Sequence, residues 1–222
     1  MERTFYRLLI LLCFPGVLMA QNTLGYELRK GDIFTVEQKA EQHISQSLDD
    51  TSHDLTNRIS GIIQFRVLEE KDSTYLLEFM FNDLIFKIES SLQGVLLDVH
   101  AGEPRAGDAQ AAIFNGLLNI PVQMELSRKG KILEVVGGEQ MISKVLEQSG
   151  LPEGFSRSVM KKSLEQQYGS AALAESYEQM TYFYPGKPVA KNDQWSNRFE
   201  GKLEAENTWK LDSITTERTY IS

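Results

Sequence analysis

Apolar and polar residues alternate along much of the first half of the chain and recur at helical spacing through much of the second. From Ile33 to Leu48, the residues Phe34, Val36, Ala40, Ile44 and Leu48 share one parity. Thr35, Glu37, Lys39, Glu41, His43, Ser45 and Ser47 share the other. That pattern predicts a strand with one face in water. Asp49-Asp50-Thr51-Ser52 reads as a turn, and the chain returns through Ile59, Ile62, Ile63, Phe65, Val67 and Leu68. A second turn at Glu70-Lys71-Asp72-Ser73 leads into the most apolar strand, Tyr75 to Ile88, with Leu77, Phe79, Phe81, Ile85 and Phe86. Short strands are expected at Leu24 to Arg29 and at Val95 to Val99. Strands this long predict a curved or strongly twisted antiparallel meander.

After a loop at 100–107 the period changes. Asp108 is placed to cap a short helix from Ala109 to Leu118, with Ile113, Leu117 and Leu118 inward. A hairpin follows, Val122 to Ser127 and Lys131 to Val136, turning at Arg128-Lys129-Gly130. Gly137-Gly138 opens a helix striped by Met141, Ile142, Val145 and Leu146. Two more helices are predicted, Ser156 to Tyr168 (Val159, Met160, Leu164, Gln167, Tyr168) and Ala171 to Tyr182 (Leu173, Tyr177, Met180), before Pro185. Strand character resumes after Trp195 with Phe199, Leu203, Trp209, Leu211 and Ile214. Another strand begins at Thr219-Tyr220-Ile221. The predicted class is α+β: a long-stranded, curved antiparallel β-sheet with a helical insert. The expected divisions are a signal peptide at 1–20, an antiparallel meander at 21–107 and a hairpin plus helical insert at 108–186. A second strand group at 187–222 belongs to the same domain and is incomplete beside the first.

One local sequence occurs twice. Lys30-Gly31-Asp32-Ile33-Phe34 and Lys191-Asn192-Asp193-Gln194-Trp195 share lysine, a residue suited to positive φ, aspartate, any residue, then an aromatic. Glycine and asparagine are the residues that take a left-handed conformation most readily. The aspartate can accept backbone hydrogen bonds within the turn. The echo therefore predicts either two ordinary hairpin turns or a duplicated strand unit on either side of the helices. On the second reading the later copy is the shorter, and the chain resembles a truncated version of a longer protein.

The N-terminus reads as a targeting segment: Arg3 and Arg7, the apolar run Leu8 to Phe14, and Ala20 before Gln21. It is too short for a membrane span, and Pro15-Gly16 interrupts it. Leu12 before Cys13 does not suit lipidation. Cys13 is the sole cysteine, so the mature chain has no disulfide and must be held by its core. Loss of residues 1–20, which carry Arg3, Arg7 and Glu2, takes the formal net charge from −8 to −9. Such a chain repels phosphate backbones, so nucleic acid is not an expected partner. These features together point to export into a bacterial cell envelope, in the periplasm or on the outer surface.

Leu28-Arg29-Lys30-Gly31-Asp32, the Gly130 hairpin with Val135-Val136-Gly137, Gln167-Tyr168-Gly169, and Phe183-Tyr184-Pro185 with Lys187-Pro188-Val189 and Asp193-Gln194-Trp195 carry a resemblance over residues 24–215. They resemble a family of exported bacterial envelope proteins catalogued only as a domain of unknown function. That family usually has glycine where this chain has Asn192, and it usually extends further with more strands. The resemblance implies an exported β-rich domain with a helical insert, and it brings no catalytic residues.

Candidate chemistry is sparse. His43 and His53 are expected to face Arg58 and Leu48 across the hairpin, too far apart to share a metal. His100 stands near Asp98 and Glu103, a cluster with poor ligand geometry. There is no nucleophile elbow, no phosphate loop and no dinucleotide fingerprint. No catalytic, cofactor or metal residue is expected. The aromatics Tyr182, Tyr184 and Trp195 form a candidate ligand or partner surface. The leading expectation is a non-enzymatic binding or structural module that meets an envelope protein, a glycan or a lipid. The alternative is a carrier holding a lipid or another amphiphile in the concave face of the sheet, between residues 75–88 and the methionine-bearing helices. A carboxylate-based hydrolase is the third reading.

Overall fold

The computed structural model describes residues 22–48, 51–105, 107–199 and 204–222. The targeting segment expected at 1–20, Asp49-Asp50 and Leu203 lie outside these residues. Strands β1 (Ile33–Leu48) and β2 (Thr51–Glu70) form a hairpin of 16 and 20 residues in one unbroken register. It pairs His43 with Thr56 and His53 with Gln46, which corrects the expected facing with Arg58 and Leu48. Strand pairing extends to Leu48 and Thr51, so the connection is tighter than a four-residue turn. The two histidines lie about 10 Å apart along the ladder and on opposite faces of the sheet.

β2 pairs on its other side with β3 (Thr74–Ser90). The far edge of β3 is shared. Its first half pairs with β5 (Val122–Ser127), and its second half with β4 (Gly94–His100). The chain crosses between them through α1 (Ala109–Asn115), which starts where the Asp108 carboxylate accepts a hydrogen bond from Ala111 N at 2.9 Å. Then β6 (Ile132–Val136) completes an open, antiparallel order β1-β2-β3-β5-β6.

Helices α2 (Gly138–Gln148), α3 (Phe155–Tyr168) and α4 (Ser170–Thr181) follow. Tyr75, Leu77, Phe79, Val122 and Met124 from the sheet and Met141, Ile142 and Val145 from α2 are no more than 2% exposed. The apolar stripe expected on α2 is thus buried whole. α3 differs: Leu164 is buried, but Val159 is 52% exposed. The helix meets the core through one residue per turn, Met160, Leu164 and Tyr168.

The segment expected as a strand at Leu24–Arg29 is not one. Asn22 bridges Val189, and Tyr26 is tied to the β5–β6 turn and to β3: its N donates to Arg128 O at 2.8 Å, and its O accepts from the Tyr75 hydroxyl at 2.7 Å. Gly130, at φ 93°, lies so close to α4 that a β-carbon there would meet Thr181 O at 1.8 Å.

After the helices, β7 (Gln194–Phe199), β8 (Ala205–Ile214) and β9 (Thr219–Ile221) form a small separate sheet. Leu24, Val189, Trp195 and Leu211 make its core. This sheet repeats the start of the large one, atom by atom at the turn. Gly31 N donates to Val67 O and Val67 N to Asp32 O, both at 2.9 Å. Asn192 N donates to Leu211 O at 2.7 Å and Leu211 N to Asp193 O at 3.0 Å. Gly31 and Asn192 have φ of 94° and 75°, the conformation the echo predicts. The match continues. Val67 faces Leu77 and Leu211 faces Ile221, each followed by a register shift. Each strand then turns through one hydrogen bond, Lys71 N to Thr74 O and Thr215 N to Arg218 O. Phe34 opposite Phe65 corresponds to Trp195 opposite Trp209. β1-β2-β3 and β7-β8-β9 are two copies of one pattern. The last described pair of the second hairpin, Phe199–Ala205, matches Gln38–Gly61 in the first.

Candidate functional site

β3 changes its inward face partway along. Tyr75, Leu77, Phe79 and Phe81 are buried on odd positions; Leu84 and Phe86 are buried on even ones. The switch occurs at Asn82-Asp83, where the pairing with β2 slips by one residue. A strand has a side-chain period of two, so one extra residue is enough to bring the other parity inward. The Asp83 carboxylate holds the far side of this bulge. Its Oδ1 accepts from Leu84 N at 2.9 Å and Gly102 N at 3.1 Å, and its Oδ2 meets His100 Nε2 at 2.8 Å. The other ring nitrogen, Nδ1, lies 3.6 Å from Glu103. The two carboxylates address opposite sides of the imidazole and cannot share one ion with it.

Beyond the bulge the helices stand off the sheet, and a cavity of about 460 Å³ opens there. Its floor is apolar: Ile63, Phe81, Leu84 and Phe86 from β2 and β3, and Leu173 and Tyr177 from α4. All six are 9% exposed or less. The rim carries Gln38, Asn57, Gln167 and Ser176. On one side Ala40 and Ile59 remain exposed, so the cavity runs out onto the bare face of the β1–β2 hairpin. Burial pushes the Tyr168 hydroxyl up to about 12 and raises that of Tyr177 as well, so both lining phenols stay neutral. Arg58 and Lys87 lie at the cavity's edge but turn their side chains to the opposite face of the sheet, where acids engage both. Glu41 lies 2.7 Å from Arg58, Glu89 also pairs with Arg58, and Lys87 is 2.9 Å from Glu89. The size suits a small amphiphile, with an apolar floor and a few polar groups at the mouth.

Part of the region expected to hold a ligand is solid. Phe79 is fully buried against Phe65 and Tyr177, and Ile85 lies on the opposite face of the sheet. Phe81, Phe86 and Met180 do line the cavity. Sequence reasoning missed Ile63, Leu84, Leu173 and Tyr177 as its floor. The signal was present in Asn82-Asp83, two polar residues that break the alternation between Phe81 and Leu84.

The aromatics singled out as a surface lie elsewhere. Trp195 is 8% exposed, and its indole N–H donates to Phe183 O at 2.6 Å. Tyr184 packs edge-on against Tyr26 at 5.0 Å between ring centroids. Tyr182 meets Phe199 at 6.5 Å, and its carbonyl accepts from the Asn197 amide. All three tie the end of α4 to the small sheet, and none lines the cavity. Among the described residues, no group of three or more His, Cys, Asp or Glu side chains is placed to hold a metal ion. No helix there is long and apolar enough to cross a membrane.

No curated protein and no solved structure matches the chain. A family model does match, over residues 72–222, from the turn before β3 onward. The chain belongs to that family, DUF6263, a family of unknown function.

Proposed function

We propose that this chain is a non-enzymatic binding module of the bacterial cell envelope, and that its ligand is a lipid or another amphiphile held in the concave face of the large sheet. The observation that carries this reading is the apolar cavity between the bulged half of β3 and α4, with its amide and hydroxyl rim. The floor offers no ionised group to a ligand, which favours an acyl chain or similar apolar moiety there. The polar end would then rest at Gln38, Asn57, Gln167 and Ser176. The pattern in residues 1–20 and the absence of cysteine from Gln21 onward support export.

The test is a titration of the mature chain with a fluorescent long-chain fatty acid and with a single-chain lysophospholipid. Saturable one-to-one binding of at least one probe is expected. Ser176→Trp, an exposed helical position at the mouth, is expected to abolish binding while the far-ultraviolet spectrum and the unfolding midpoint stay unchanged. Failure of both probes to saturate, or equal binding by a folded Ser176→Trp variant, overturns the proposal.

A further inference from the structure

β1 pairs with β2 along its whole length, and no strand pairs with its other edge among the described residues. From Ile33 to Ser47 every residue is exposed except the half-buried Ile44. Folded proteins usually blunt such an edge with proline, a bulge, a short strand or a charge on the inward face. β1 has none of these, and of the devices that blunt an edge it carries only the outward charges of Glu37, Lys39 and Glu41. Its concave side carries Phe34, Val36, Gln38, Ala40, Gln42 and Ile44, and its register has no shift. The charges lie on the convex side, as Glu37, Lys39 and Glu41 in alternating order, followed there by the His43 imidazole.

That order is complementary to itself in one antiparallel alignment. A twofold axis at Ala40 sets Lys39 opposite Glu41 of a second copy, Glu37 opposite His43, and Thr35 opposite Ser45. On the concave side Ala40 meets Ala40, Gln38 meets Gln42, and Val36 meets Ile44. Moving the axis to Lys39 brings Glu37 against Glu41 and lysine against lysine. Moving it to Glu41 brings glutamate against glutamate and Lys39 against His43. An axis at Gln38 or Gln42 keeps only one kind of charge pair and shortens the ladder. Opposite charges facing across an antiparallel pair stabilise it, and like charges destabilise it. Lys39 now meets Glu37 at 2.7 Å, and Glu41 meets His43 at 2.8 Å and Arg58 at 2.7 Å; all are solvent-exposed pairs that cost little to rearrange.

We propose that two copies of this chain join edge to edge through β1, antiparallel about Ala40. The large sheets become one continuous sheet with both concave faces on the same side. Gln38 and Ala40, which line the cavity, then lie at the junction, and the two cavities open onto a common trough. The pairing is set by the edge and its charges and does not depend on the ligand.

Cysteine crosslinking tests it, in a full chain carrying Cys13→Ser. Facing residues of an antiparallel pair have Cα atoms about 4.5–5.5 Å apart, within disulfide reach. Ala40→Cys is expected to give a disulfide-linked dimer on mild oxidation. Gln38→Cys alone is expected to stay uncrosslinked, because its counterpart lies roughly 13 Å away along the ladder. Mixed with Gln42→Cys, it is expected to link. In sedimentation, Lys39→Glu is expected to weaken the dimer about tenfold, since it sets like charges opposite each other in both halves of the interface. A folded Ala40→Cys chain that remains monomeric, or Gln38→Cys linking to itself as readily as Ala40→Cys, overturns the proposal. Unchanged fatty-acid binding by the Lys39→Glu chain supports the independence of the two proposals, and loss of binding there overturns it.

Discussion

Asp32 and Asp193 hold two distant turns with the same pair of contacts. Each carboxylate accepts from the backbone N–H three residues earlier, Arg29 at 2.9 Å and Ala190 at 2.8 Å. Each backbone N–H donates to the carbonyl of that same residue at 3.0 Å. Between them sits the one residue of each turn with positive φ, Gly31 or Asn192.

Equal geometry predicts equal cost. Asp32→Ala and Asp193→Ala should each lose about 1 kcal/mol of stability, the usual net worth of one such hydrogen bond. Asn192→Gly should be close to neutral, whereas Asn192→Val should cost about 1–2 kcal/mol for forcing a branched side chain into the left-handed region. Urea unfolding midpoints of the four variants, with the slope held constant, provide the measurement.

The bulge at Asn82 makes a sharper prediction. Asn82 is exposed, so Asn82→Ala should leave stability nearly unchanged. Deleting Asn82 removes the extra residue itself, so Phe81 and Leu84 become next-but-one neighbours on one face, Leu84 and Phe86 stay inward, and the pairing with β2 runs on without a shift. A chain that keeps its far-ultraviolet spectrum, its near-ultraviolet signal and its cooperative unfolding is the expected outcome. A deletion variant that loses its near-ultraviolet signal and cooperative unfolding would show that the bulge does more than carry one extra residue.

Ionisation of buried tyrosines governs the alkaline limit. In the unfolded chain a tyrosine releases its proton near pH 10. Burial raises Tyr168 to about 12 in the fold, and Tyr26 and Tyr177 are raised too, all chiefly by burial. Between about pH 10 and pH 12 the folded chain holds protons that the unfolded chain has released. The stability they contribute is therefore whole below about pH 10 and is lost as pH rises through that window. Tyr168→Phe should flatten the fall in denaturant midpoint between those pH values, while a difference that is constant with pH would contradict it.

What the sequence made legible was local. Lys30-Gly31-Asp32 and Lys191-Asn192-Asp193 announce their turns because positive φ and an aspartate cap are matters of a few adjacent residues. The stripe on α2 was legible because Met141, Ile142, Val145 and Leu146 bury as one face. The rest of the repeat was hidden. Lys71 to Thr74 and Thr215 to Arg218 close the same turn with different residues, since the backbone makes the bond. The cavity was hidden for another reason. Leu173 and Tyr177 read as ordinary core, and only the way α4 sits over the bulged half of β3 leaves them facing a space. Trp195 shows the opposite case: an aromatic beside two prolines suggests a surface, but Leu24, brought back by the Asn22–Val189 bridge, covers it.

Setting the two copies against each other separates scaffold from accessory. Only five residues separate Phe199 from Ala205, the last described pair of the second hairpin; the first passes the matching rung, Gln38–Gly61, and continues out and back through residues 39–60. That surplus carries Ala40, Asn57 and Ile59 of the cavity border and most of the free edge. The shorter copy demonstrates that the strand pattern closes without it. Residues 39–60 are therefore an appendage that the strand pattern itself does not require, so shortening them is a change the fold underneath can absorb.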